Sequence, residues 1–113
     1  MPKIKLATWN INSVRLRQDS VAKFVGLAGI DVLCLQETKV ANELFPFDAF
    51  KAMGFKHIAL NGQKGYHGVA IASRLPLERV ESPTHCMHLE PRSLAVKVAG
   101  IEVHNLYVPA GGD

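Results

Sequence analysis

The stretch Asp31-Val-Leu-Cys-Leu-Gln-Glu-Thr-Lys39 constrains this chain more than any other. Val32 to Leu35 form a short, wholly apolar run of strand length, the pattern of a strand buried on both faces. The run ends abruptly in Gln36, Glu37, Thr38 and Lys39. Open α/β sheets build sites in this way, with a buried strand delivering polar groups at its C-terminal end. Glu37 is therefore the first candidate functional residue. On this stretch alone, a strand running out into a solvated loop is an equal alternative.

The flanking sequence supplies the rest of a βαβ unit. Ile4 to Asn10 alternates and reads as a first strand. Asn10, Asn12 and Ser13 offer turn chemistry and a helix N-cap. From Val14 to Ala28 the apolar positions recur with helical period, with Val14, Val21, Phe24, Val25 and Ala28 on one face. Gly29 is placed to cap the C-terminus. A strand, a helix and a second strand in this order predict parallel strands joined by a right-handed crossover.

Farther on, Pro46 and Asp48 can start a short helix through Met53, with Gly54 ending it. Phe55 to Leu60 and Val69 to Ala72 read as strands around a loop holding Gly62, Gly65 and Gly68. From Pro76 to Arg92 only a weak strand near Arg79 is discernible. Leu94 to Val98 and Ile101 to Val108 alternate about Ala99-Gly100 and predict a hairpin.

At 113 residues there is room for one compact domain and not for two. The formal charge of +3 permits a polyanionic partner without demanding one. The N-terminus shows no secretory pattern, and no apolar run approaches the ~18 residues of a membrane span. Cys34 lies inside the buried strand and Cys86 in a loop, so a disulfide between them is disfavoured. A reduced, cytoplasmic setting without a membrane is the expectation.

Four polar clusters fall at strand ends or in loops: Asn10/Asn12, Glu37/Lys39, the Gly62–Gly68 loop and Asn105/Tyr107. A carboxylate with amide neighbours suits a hard cation such as Mg²⁺, and a strand-end tyrosine can donate a hydrogen bond to a phosphate. Taken singly, Asn10 and Asn12 also read as turn formers, and Tyr107 as a half-buried strand residue. The glycine loop lacks Walker A spacing, which argues against a nucleotide P-loop. Its backbone could approach a nucleic-acid phosphate, with Tyr66 and His67 reaching bases; a plain hairpin loop is the alternative. His85-Cys86-x-His88 matches neither a zinc finger nor a zinc knuckle and lacks a fourth ligand, so it reads as an exposed loop.

Taken together, four segments are far more specific than any one of them. They are Thr-Trp-Asn-Ile-Asn-Ser-Val-Arg (8–15), Leu-Gln-Glu-Thr-Lys (35–39), Gly-Gln-Lys-Gly-Tyr-His-Gly-Val-Ala (62–70) and Asn-x-Tyr-x-Pro (105–109). In order and spacing the chain resembles the exonuclease III family, the bacterial branch of the endonuclease/exonuclease/phosphatase superfamily. The resemblance implies an α/β fold, the first half of a four-layer α/β sandwich with a mixed β-sheet and outer helices. It identifies residues 1–113 as the N-terminal half of such a domain, whose full length is about twice this chain.

The resemblance also implies roles. Glu37 resembles the Mg²⁺-binding carboxylate (Mn²⁺ being the alternative ion), and Asn10 its neighbour at ion and phosphate. Tyr107 resembles the catalytic tyrosine that hydrogen-bonds toward the phosphate. Arg15, Lys39, Lys64, Tyr66 and His67 match positions that approach the DNA backbone and minor groove. Asn12 stands where the superfamily often has an acid, and Arg92 matches an arginine lying before a strand. Ala110 replaces a common amide residue and Leu106 a common glycine, which could alter loop shape.

The implied function is DNA repair. It comprises Mg²⁺-dependent phosphodiester hydrolysis on double-stranded DNA, 3′→5′ exonuclease action and incision at abasic sites. Missing from the chain are the Gly-Asp-x-Asn motif that serves the attacking water and the later Asp and Ser-Asp-His motifs. The chain alone is therefore expected to be inactive, with an open apolar inner sheet face that invites self-association, whereas the intact enzyme is expected to be a monomer. Two alternatives remain at this stage: another phosphoesterase of the superfamily, and a non-catalytic nucleic-acid- or protein-binding module.

Overall fold

A computed structural model describes residues 3–61, 68–80 and 93–106. The first strand, β1 (Leu6–Asn10), leads through an irregular turn into α1 (Gln18–Ala28) and back into β2 (Val32–Gln36). A 3-10 turn (Asn42–Leu44) and the short helix α2 (Phe47–Ala52) precede β3 (His57–Asn61) and β4 (Val69–Ser73). The remaining strands are β5 (Leu77–Arg79), β6 (Ser93–Val98) and β7 (Ile101–Leu106). β1 and β2 are parallel, as the crossover rule requires, while β4 is antiparallel to both β2 and β3. This gives a mixed sheet of order β1-β2-β4-β3 and a separate antiparallel sheet of order β5-β6-β7.

The central strand explains the layering. In β2 the side chains alternate between two apolar cores, one on each face of the sheet. Leu33 and Leu35 join Val21 and Val25 of α1 and the rings of Phe45, Phe50 and Phe55 on the outer face. Val32 and Cys34 join Val69, Ile71, Leu94, Val96 and Val98 on the inner face. Every residue of β2 and of β4 is buried. The order of layers is thus helices, mixed sheet, second sheet.

This arrangement corrects the expectation of an open inner face. The 93–106 hairpin does not extend the first sheet; with β5 it covers the inner face of β2 and β4. Among the described residues the inner face of β1 stays open. Leu6, on the same face as its fully buried register partner Val32, is 52% exposed.

The helix entry also differs from expectation. α1 starts at Gln18, after Arg17 at the N-cap position and with no side-chain cap. Asn12 and Ser13 instead adopt positive φ of 48° and 87°. They turn the chain so that Ser13 N–H and Val14 N–H donate to the carbonyls of Glu37 and Thr38, at 2.8 and 3.1 Å. The helix exit follows the sequence reading. Gly29 is left-handed at φ 66° and donates to Val25 O at 2.9 Å, and Lys5 Nζ adds a cation on Ala28 O at 3.0 Å.

At the β6–β7 turn both Ala99 (φ 50°) and Gly100 (φ 80°) are left-handed, the conformation of a two-residue type I′ turn. Alanine tolerates that region poorly and asparagine tolerates it better. Ala99→Asn is expected to stabilise the fold by about 0.5–1 kcal/mol, read as a higher urea midpoint at unchanged slope.

Cys34 is free and buried, and burial lifts its thiol from 9.0 to about 11. The folded chain therefore holds this proton at a pH where the unfolded chain releases it. The contribution to stability is complete below about pH 9 and is lost as the pH rises through about 11. In urea titrations across that window, Cys34→Ala is expected to remove part of the wild-type decline.

Candidate active site

The parallel β1–β2 pair ends in register at Asn10 and Gln36. Beyond it, both strands turn through left-handed residues: Asn12 and Ser13 after β1, Glu37 and Lys39 after β2, each of the latter at φ 55°. Neither Glu37 nor Lys39 is a glycine or asparagine, so the surroundings must hold them there. Backbone bonds do so. Ile11 N–H donates to Gln36 O at 2.9 Å, Ser13 N–H to Glu37 O, and Thr38 N–H to Gly68 O at 3.1 Å. Gly68, at φ 93°, thus ties the end of the glycine loop to the same junction.

Side chains continue the pattern. Lys39 Nζ donates to Asn12 Oδ1 at 2.5 Å. Asn10 is exposed at the end of β1, Glu37 and Lys39 are half-buried, and Arg15 is exposed one residue after Val14. Asn10, Glu37, Lys39 and Arg15 are therefore gathered at one end of the β1–β2 pair, while Asp31 lies at the opposite end of β2. A cleft of about 460 Å³ between α1 and α2, lined in part by Gln18, Ala22, Met53 and Arg74, takes in none of these candidates. Tyr107, Lys64, Tyr66, His67, Arg92 and the His85-Cys86-x-His88 cluster lie outside the described residues.

The donor set at this end comprises a carboxylate, an amide and carbonyl oxygens. It suits a hard cation that keeps several waters and does not suit zinc. Among the described residues no group of three or more His, Cys, Asp or Glu side chains is placed to hold a metal. The donor set fits a lightly ligated hard cation, and Glu37 with Asn10 are the groups that could hold one.

Two buried polar residues received no role in the sequence reading, although Asn105 belongs to one of its four polar clusters. Gln36 and Asn105, only 9% and 2% exposed, are joined by a hydrogen bond of 2.6 Å from Gln36 Nε2 to Asn105 Oδ1. Gln36 Nε2 also donates to Thr8 Oγ1 at 2.8 Å. Asn105 Nδ2 donates to Leu35 O at 3.0 Å and to Ala70 O at 2.8 Å. A signal was present: Asn105 falls on the same strand face as Val103, a position the alternation reserves for a core residue.

A mixed sheet with helices outside and a second sheet inside, carrying an acid and amides at its strand ends, defines a layered α/β sandwich. Residues 7–109 match the model of the Endonuclease/Exonuclease/phosphatase family, and the chain belongs to that family. It is 37% identical over 71 residues to exodeoxyribonuclease III of Haemophilus influenzae, a match covering 63% of this chain and 26% of that protein. The structure is similar to an AP endonuclease from Archaeoglobus fulgidus, with TM-score 0.86, 41% identity, and coverage of 95% of this chain and 42% of that one. It is also similar to NExo, a 3′ phosphatase from Neisseria solved with product DNA hairpin, with TM-score 0.82, 35% identity, and coverage of 93% and 41%. The chain thus spans well under half the length of these relatives. Among the described residues no helix is long and apolar enough to cross a membrane.

Proposed function

We propose that the chain is the N-terminal half of a DNA-repair nuclease of the exodeoxyribonuclease III type. Such an enzyme would hydrolyse phosphodiesters of double-stranded DNA at abasic sites and 3′ ends. The observation that carries this reading is the strand-end junction. There two parallel strands, tied at Thr38 to Gly68, bring Asn10, Glu37, Lys39 and Arg15 to one end of the sheet, with Glu37 in a costly left-handed conformation. That NExo was solved with a product DNA hairpin supports DNA as the substrate class.

Glu37 and Asn10 are the residues that would hold the Mg²⁺. When bound, the ion would supply positive charge against a phosphate or leaving oxygen. Lys39 and Arg15, with Lys64, Tyr66 and His67 of the glycine loop, would bind the duplex chiefly through its backbone, so binding should weaken with salt. Tyr107 would orient the phosphate by donating its phenolic proton. The group that activates water is assigned to a following half of the domain, because hydrolysis needs a base beyond the phosphate-holding groups named here. Alone, with Leu6 and Leu106 exposed, the chain is expected to self-associate; the complete enzyme is expected to be monomeric.

The test is magnesium-dependent cleavage of a duplex carrying one abasic site, by this chain and by a version extended through the Gly-Asp-x-Asn and Ser-Asp-His motifs. Cutting by the extended chain only is the expected result. Cutting by the short chain would place the water-activating group within residues 1–113. An extended chain that cleaves only other phosphoesters would favour another activity of the superfamily. One that binds DNA without cutting would favour a binding module.

A further inference from the structure

The Gln36–Asn105 amide pair does more than satisfy two buried side chains. Its orientation is dictated by chemistry. Asn105 faces two carbonyl oxygens, those of Leu35 and Ala70, which are register partners across β2 and β4, so its nitrogen must point toward them. Its oxygen must then face Gln36, and Gln36 must present its nitrogen, whose second proton goes to Thr8 on β1. One connected set of hydrogen bonds therefore joins β7 of the inner sheet to β4, β2 and β1 of the mixed sheet. It does so one residue before Glu37 and, in sequence, two residues before Tyr107.

We propose that Gln36 and Asn105 are positioning residues. Their buried amide bond holds Glu37 in its left-handed conformation and so sets the carboxylate for a divalent cation. The inference rests on the metal-binding reading of Glu37 given above. The physical argument concerns the end of β2. A glutamate at φ 55° relaxes to the extended or right-handed region unless both sides are fixed. On the C-terminal side the Thr38–Gly68 and Val14–Thr38 backbone bonds fix it. On the N-terminal side Gln36 is paired with Asn10 and Val69 and its carbonyl accepts from Ile11 N–H at 2.9 Å, and the Gln36 side chain, pinned from the second sheet, adds a further hold against rotation of this last residue of β2. The buried setting strengthens each bond of the set.

The proposal is tested on the 113-residue chain by two readouts that do not involve cleavage. The first is Mn²⁺ binding followed by electron paramagnetic resonance; the second is the NMR couplings and Cα shift that report a left-handed φ at Glu37. The variants are Gln36→Met and Gln36→Glu, which keep length and remove both donors, with Glu37→Gln as the control. Folded Gln36 variants are expected to bind Mn²⁺ at least ten-fold more weakly and to lose the left-handed signature. The double variant Gln36→Met/Glu37→Gln should bind no more weakly than Glu37→Gln alone. Folded variants that keep both the signature and the affinity would overturn the proposal. Unfolding of both Gln36 variants would also overturn it, leaving the pair a purely structural role. If wild type and Glu37→Gln bind Mn²⁺ equally, the metal reading fails, and the signature at Glu37 alone decides on the clamp.

Discussion

Glu37→Gln in the extended chain is expected to reduce magnesium-dependent cleavage of an abasic duplex by about 10³-fold or more, on the scale of losing one group that stabilises transition-state charge. The substitution keeps the side chain's shape and removes its charge. Glutamine faces the same left-handed backbone cost as glutamate, so the fold is expected to change by less than about 0.5 kcal/mol. Circular dichroism and a urea midpoint check that half of the expectation. Retained cleavage by a folded variant would remove Glu37 from the chemistry and leave the strained turn without its proposed purpose.

The largest expected effect on stability lies on the other side of the sheet. Phe50 of α2 is fully buried, with ring centroids 5.0 Å from Phe45 and 6.2 Å from Phe55. This aromatic group seats α2, only six residues long, against the outer face of β2 and β4. So short a helix has little intrinsic stability and depends on that packing. Phe50→Ala is expected to cost about 3–5 kcal/mol. That is most of what a small domain has in reserve, and the open inner face of β1 suggests little surplus here. The expected outcome in urea is a chain largely unfolded at low denaturant, whereas Phe50→Leu should retain a cooperative transition. A loss below about 1 kcal/mol for the alanine variant would mean that α2 is not docked as described.

Both effects trace to β2, and that strand was legible in the sequence. A four-residue apolar run bounded by polar residues has few ways to be buried, and a helix-period segment before it implies a parallel partner. The candidates Asn10, Glu37 and Lys39 followed from the same logic, since strand ends are where polar groups accumulate, whereas Arg15 came from the family resemblance; the structure gathers these four at one end of one strand pair. The family resemblance rested on motifs, and the match over residues 7–109 agrees with it.

Other features were not legible, for a common reason. Alternation in residues 93–106 shows that one face of the hairpin is apolar, but not which layer that face meets. The hairpin could have lengthened the first sheet; it became the second one instead, because β2 and β4 offered an apolar face to cover. Asn12 and Ser13 looked like helix caps because their side chains suit that task. They make a left-handed turn because the backbone of Glu37 and Thr38 lies within bonding reach. Asn105 and Gln36 are 69 positions apart, and their bond exists only once two sheets are stacked. Local sequence thus determined which segments are strands or helices and which end of a strand carries chemistry, since those depend on neighbours within a few residues. Tertiary packing alone decided which faces meet, which residues bear backbone strain and which amides lock together, since those depend on distances that no local pattern encodes.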